Sequence, residues 1–285
     1  MEVLSREDLI AKAGDLNVLP FVAKKLLEAV SDHNVTIETL CSIIEKDQTI
    51  AARVLKISNS ALYGLRQEVT SLNQAVMVLG LRTIRSLVLS VSTKSLYRTF
   101  GMTEKMMWEH SVGAAVASRL ISADFGNEMK EVAFTGGLMH DLGKIFMNNE
   151  TPKAFSQTMM NIYNEHMDSI EAEKDVYGFI HPEIGAAVVR KWGLSPMTAE
   201  IIAHHHLQDT SLESIREPVA AKGVATVHLA NHVCKVLGIG YRTPDASIVL
   251  HDLPSARFLG INKDRMESLA AQTGDMFASE KSLFD

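Results

Sequence analysis

The 285-residue sequence contains two cysteines, Cys41 and Cys234, and no CxxC pair. That excludes a disulfide-stapled fold and a cysteine-built metal knot, and it fits a reducing, cytoplasmic setting. Its 7 prolines and 17 glycines are scattered, so no low-complexity segment or Pro/Gly-rich linker divides the chain. No apolar run reaches the roughly 18 residues of a membrane-spanning helix. The N-terminal MEVLSREDLIAKAG carries charge from residue 2 onward and lacks the apolar stretch of a signal peptide. No membrane attachment is expected. Positive charge is not in excess: 28 Lys and Arg face 34 Asp and Glu, for a formal net charge of -6. A protein that coats nucleic acid would show the opposite balance, so nucleic acid is not the expected partner.

What is present is an apolar fraction of 46% with 22% charged residues, enough to bury a core and exclude disorder. Helical periodicity dominates and strand signals are weak. Phe21, Leu26, Leu27 and Val30 share one helical face behind Leu19-Pro20. Thr36 precedes IETLCSIIEKD. Asp47 is placed to cap TIAARVLKISNSALYG, and Ser71 to cap SLNQAVMVLG, with Gly80 as its stop. One long helical pattern follows over 81–100. Residues 102–125 read as a single helix. EVAFTGGLMHDLGKIFMNN reads as a helix interrupted near Gly136-Gly137 and again near Gly143. Later helices include HPEIGAAVVRKWG, with Pro182 in its first turn, SPMTAEIIAHHH, capped by Ser195, and EPVAAKGVATVHLANHVCKVLG. The character changes near residue 100. This gives an N-terminal helical part over 1–100, a histidine-bearing helical part over 101–240, and a polar C-terminal extension over 241–285.

Eleven histidines stand out. His140-Asp141 lies in Met139-His140-Asp141-Leu142-Gly143-Lys144. His110 lies on the preceding helix, His181 opens a later one, and His204-His205-His206 run consecutively. Imidazole and carboxylate together suit Fe, Mn, Zn or Ni. An adjacent His-Asp pair can place one ligand on each of two metals or both on one. Lys144, one turn beyond Asp141, could approach an anionic substrate. His33, His166, His228, His232 and His251 lack a partner pattern and read as ordinary core or surface histidines, and His204 fits either class. Trp108 and Trp192 read as packing aromatics, and the methionine pairs Met106-Met107 and Met159-Met160 as core filler. Arg53, Lys56, Arg82 and Arg85 form either a basic patch or a solvated helix face.

Taken in order, these segments resemble the HD superfamily of metal-dependent phosphohydrolases, and within it the HDOD family of bacterial signalling output domains. Leu19-Pro20, Ile43-Ile44-Glu45-Lys46-Asp47, Arg53 to Ser60, Ala75 to Gly80 and Arg82 to Arg85 carry the N-terminal part of that resemblance. Trp108-Glu109-His110-Ser111 and Gly136 to Lys144 carry its centre. It spans roughly residues 15 to 240. It implies an all-α, multi-helix HD-like bundle with an N-terminal helical subdomain packed against it, and a regulatory role in the cytoplasm. The chain is also similar to the HD-GYP cyclic-di-GMP phosphodiesterases. That likeness implies metal ligation by His110, His140, Asp141, His181, His205 and His206, with Asp141 and Lys144 as the catalytic pair.

Three positions depart from the enzymes. Asn231 stands where a late aspartate ligand is usual, and a neutral amide is a poor substitute for a carboxylate on a cation. Met106 stands where some HD-GYP enzymes have a glutamate, and Leu207-Gln208-Asp209-Thr210 replaces the GYP loop. The expected function is therefore a signalling module that binds a divalent metal and answers to an unidentified signalling protein or nucleotide ligand. The alternative is a metal-dependent phosphohydrolase acting on a nucleotide or cyclic dinucleotide. A third reading is a closed structural metal site.

Overall fold

A computed structural model describes residues 3–15, 19–30, 36–207 and 210–283. Among them the regular structure is α-helix with short 3-10 turns and no strand, as expected for an all-α chain. His33 and the Gln208-Asp209 pair lie outside the described residues.

Side-chain caps set the first helix boundaries. α1 (Arg6–Ala13) begins where the Asp8 amide donates to the Ser5 side chain. α2 (Phe21–Val30) follows Leu19-Pro20. Thr36 caps α3 (Ile37–Ile44), Asp47 caps α4 (Gln48–Ser58) and Ser71 caps α5 (Leu72–Leu79). Each cap oxygen satisfies an amide that the helix itself leaves open. α6 (Leu81–Thr93) is shorter than its apolar pattern. The pattern expected over 81–100 ends at Thr93, and Lys94–Leu96 form one 3-10 turn.

α7 (Met102–Ile121) is the central rod, buried on every side from Ser111 to Ser118. α8 (Asn127–Met139) lies against it. α8 runs straight through Gly136-Gly137, so the expected interruption there is absent. The break falls instead at His140-Asp141, and α9 (Leu142–Glu150) contains Gly143 inside its first turn. The two glycines of α8 serve packing: a Cβ on Gly137 would sit 2.6 Å from the Ala114 carbonyl of α7.

α10 (Pro152–Asn164), α11 (Ser169–Tyr177), α12 (His181–Lys191) and α13 (Pro196–His204) close one side of the bundle, with Ser195 capping α13 as expected. α14 (Pro218–Leu237) packs along α7, α8 and α13. After α15 (Pro254–Phe258), the C-terminal extension forms α16 (Lys263–Glu280). α16 packs on α7 through buried Met266, Leu269 and Thr273.

The largest apolar cluster joins Val54, Ile57, Ile84 and Leu87 to Trp108, Phe134 and Leu138. The N-terminal helices therefore share a core with the histidine-bearing bundle. Each such side chain contributes about 1.5–3 kcal/mol through burial. Trp108 and Trp192 are both packing aromatics in this core.

Candidate metal centre

The break between α8 and α9 puts His140 and Asp141 at the middle of the bundle. Asp141 takes the N-cap position of α9, but its side chain makes no capping bond, which leaves both carboxylate oxygens for other partners. Two glycines allow the surrounding elements to close in. A Cβ on Gly143 would lie 2.1 Å from the His181 carbonyl oxygen, so only glycine lets the start of α9 touch the start of α12. Gly240 has φ +76, and a Cβ there would lie 2.4 Å from His110 Cβ. The loop after α14 thereby lies directly on the His110 ring.

Six of the expected residues meet at this point. On one side of Asp141, His181 Nε2 is 3.0 Å and His205 Nε2 3.8 Å from Oδ1. On the other, His140 Nε2 is 3.5 Å and His110 Nε2 3.8 Å from Oδ2. Asp141, His181, His205 and His206 form one set whose ligand atoms lie within 4.8 Å of one another, and His110, His140 and Asp141 form a second. Lys144 Nζ reaches both Asp141 oxygens at 2.9 Å.

The imidazole tautomers follow from their outer partners. His140 Nδ1 lies 2.7 Å from the Gly137 carbonyl, His205 Nδ1 2.8 Å from the Ile202 carbonyl, and His110 Nδ1 3.3 Å from the Ile239 carbonyl. His181 Nδ1 lies 2.7 and 2.8 Å from the two Glu173 oxygens. All of these partners only accept, so each Nδ1 carries the proton; in His110, His140 and His205 this leaves Nε2 as a bare lone pair, while His181 Nε2 lies within hydrogen-bond reach of Asp141 Oδ1 at 3.0 Å. Those Nε2 atoms face one another: His110 and His140 at 3.1 Å, His181 and His205 at 3.2 Å, His181 and His206 at 3.3 Å. Lone pairs held this close in a buried space lack a positive centre between them. Asn231 Oδ1 is likewise buried without a hydrogen-bond donor. This donor set fits a metal cation.

Protonation is a poor substitute for that cation. Burial, reinforced by His140, holds the His110 pKa down at about 3. Burial also lowers His140 and drives His205 and His206 well below the usual imidazole range. Burial opposes charge on His181 too, but Glu173 and Asp141 outweigh it and raise its pKa. Burial works against the Asp141 carboxylate, yet His140, Lys144 and His181 hold it ionised well below its ordinary value.

Glu173 escaped the sequence reading. It is 1% exposed, and besides the His181 ring it accepts from the His181 amide at 2.7 Å. Its signal was present: Ile170, Glu173 and Tyr177 fall on one buried stripe of α11, where a carboxylate needs a partner. The methionines were also misjudged in part. Met106, Met159, Met160 and Met102 wall a cavity of about 540 Å³ that opens onto Asp141, Lys144, His206 and Asn231. Met160 and Met102 are exposed there rather than filling the core. Lys235, Tyr163 and Arg242 complete the wall, and the Arg242 guanidinium stacks 4.0 Å from the Tyr163 ring. His204 points away from the centre: its Nε2 lies 3.4 Å from Glu200 and its Nδ1 3.2 Å from the Thr210 hydroxyl. His228 binds Ser255 and His232 the His228 carbonyl, both outside the two ligand sets.

Residues 16–208, more than half the chain, match the HDOD domain family model. An uncharacterized protein of Treponema pallidum is 26% identical over 235 residues, which cover 79% of this chain and 44% of the relative. The chain thus spans less than half of that protein. A solved HDOD domain protein of unknown function from Geobacter sulfurreducens superposes with a TM-score of 0.74 at 25% identity, over 93% of this chain and 92% of that one. A candidate phosphohydrolase from Shewanella amazonensis shares the fold, with a TM-score of 0.72 at 22% identity over 97% and 96% of the two chains. With the family's segments in order and its fold in place, this chain belongs to the HDOD family.

Proposed function

We propose that the protein is a bacterial, cytoplasmic HDOD signalling module whose core holds divalent metal at Asp141 and that acts on a partner protein. The observation that carries the metal reading is the inward set of unprotonated Nε2 atoms of His110, His140 and His205, each fixed by a backbone carbonyl on its own Nδ1. His181, His205 and His206 would hold an ion on the Oδ1 side of Asp141, and His110 and His140 one on the Oδ2 side. Imidazole with carboxylate suits Fe, Mn, Zn or Ni. Such an ion supplies positive charge and Lewis acidity when bound. Two features favour regulation over turnover. Asn231 offers a neutral amide where a carboxylate would strengthen the site, and Lys144 is engaged by Asp141. Elemental analysis of freshly purified protein beside His140→Ala/Asp141→Ala tests the metal reading. Near-stoichiometric metal lost in the variant is expected, and chelation should lower the melting temperature by linkage. No metal after anaerobic loading with iron or manganese would sink it.

A second reading, metal-dependent hydrolysis of a nucleotide or cyclic dinucleotide, is favoured by the cavity over Asp141. Lys144, Lys235 and Arg242 offer positive charge to phosphate, while the methionines and Tyr163 offer a wall for a base. Its test is hydrolysis dependent on Mn or Fe and abolished by Asp141→Ala. Absence of turnover across cyclic and linear nucleotides, in metal-loaded protein, leaves the regulatory reading alone.

A further inference from the structure

A second cavity, of about 960 Å³, lies at the seam between the N-terminal helices and the histidine-bearing bundle. α6 supplies Arg82 and Arg85, α8 supplies Glu128 and Val132, α13 supplies Met197 and His204, and the approach to α14 supplies Ile215 and Arg216. Val132, Met197 and Ile215 are half-buried there, while Arg82, Glu128 and Arg216 are exposed. The volume is that of a small-molecule site rather than of a bare ion.

Arg85 is the unusual group. It is half-buried, and among the described residues it makes no hydrogen bond or ion pair. Arg82, one turn earlier on the same face, is paired with Glu128. Its own positive charge therefore adds to the cost of Arg85, whose pKa burial and Arg82 together push down. The carboxylates nearby do not relieve it. Glu200 faces Arg190 at 3.6 Å and His204 at 3.4 Å, and Glu217 is exposed at the start of α14. Arg216, across the cavity, is exposed and also makes no ion pair among the described residues. A half-buried guanidinium without a counter-charge is costly to keep. Its planar fork suits a phosphate oxygen pair.

We propose that this seam cavity is a binding site for a phosphorylated small molecule, its phosphate held by Arg85 and Arg216 and its apolar or planar body on Val132, Met197 and Ile215. Phosphate is favoured over carboxylate because two guanidinium groups without an ion pair border the cavity and a phosphate monoester can carry two negative charges. The site is independent of metal at Asp141, but it adjoins that centre: His204 borders the seam cavity, and His205 and His206 belong to the other.

The test is calorimetric titration of the full chain with phenyl phosphate, with benzoate and inorganic phosphate in parallel. Saturable binding of phenyl phosphate is expected, at least 10-fold tighter than either comparison ligand. Arg85→Ala should weaken it at least 10-fold and Arg216→Ala several-fold, while Lys56→Ala, an exposed cation on α4, should leave it unchanged. Arg216 is exposed, so its variant keeps the test alive if Arg85→Ala folds poorly. Phosphate also has affinity for metals, so the titration is repeated in His140→Ala/Asp141→Ala, where binding should persist. No binding at millimolar phenyl phosphate, equal binding of benzoate, loss in the His140→Ala/Asp141→Ala background, or indifference to both arginine variants would each overturn the assignment.

Discussion

The two sides of Asp141 are built unequally. The Oδ1 side has three imidazoles, one of them braced by a buried carboxylate, Glu173. The Oδ2 side has two, and the outer partner of His110 is a backbone carbonyl at the long distance of 3.3 Å. More donors, and a charged brace that raises imidazole basicity, make the first side the stronger position for a cation. Each side would take its own oxygen of Asp141, Oδ1 for the first and Oδ2 for the second. One ion held firmly and a second held weakly is the behaviour this asymmetry implies.

The largest expected effect removes the comparison altogether. Asp141→Asn takes the charge from both sides at once, and metal content by elemental analysis should fall to background. Next, Glu173→Gln should weaken only the stronger side. Loss of an outer partner of this kind typically costs 10- to 100-fold in metal affinity. The first step of a metal-binding isotherm should shift by that amount while the second stays in place. An equal shift in both steps would argue against two distinct sides. Asn231→Asp works in the opposite direction. Asn231 lines the same cavity as Asp141, so an added carboxylate should strengthen metal retention by several-fold, seen as slower loss of metal to a chelator.

A separate effect, independent of metal, concerns a histidine outside the centre. Burial holds the His228 pKa at about 3 against an ordinary 6.5. Between those values the unfolded chain binds a proton that the folded chain refuses, so folding stability falls as pH drops below 6.5. Above 6.5 this contribution is fully present. His228→Gln should flatten the urea-derived stability profile by about 1.4 kcal/mol per pH unit in that window. An unchanged slope would show that His228 takes up its proton without unfolding.

Much of this molecule was legible in its sequence because the signals are local. Thr36, Asp47, Ser71 and Ser195 cap their helices by contacts two or three residues away. The ordered histidines were likewise readable from helix to helix. What stayed hidden depends on contacts between distant segments. Glu173 looks like any polar residue of an amphipathic stretch until α11 docks beside α12. Gly143 looks like a helix breaker, whereas its role is to let the His181 backbone approach. Arg85 reads as one cation of a solvated face, and only the packing of α6 beside α13 and the approach to α14 encloses it.

The three consecutive histidines at the end of α13, His204 as its last residue and His205 and His206 just beyond, have one further consequence. His204 faces the seam cavity, and His205 and His206 face Asp141. Neighbouring residues thus carry different addresses, assigned only by their phase along the chain. Substitution at His204 leaves the other two addresses intact. Insertion or deletion of a single residue in α13 would rotate all three and hand each cavity the wrong ring. Across variants of this chain, the length of this segment should be more tightly constrained than the identity of its first histidine.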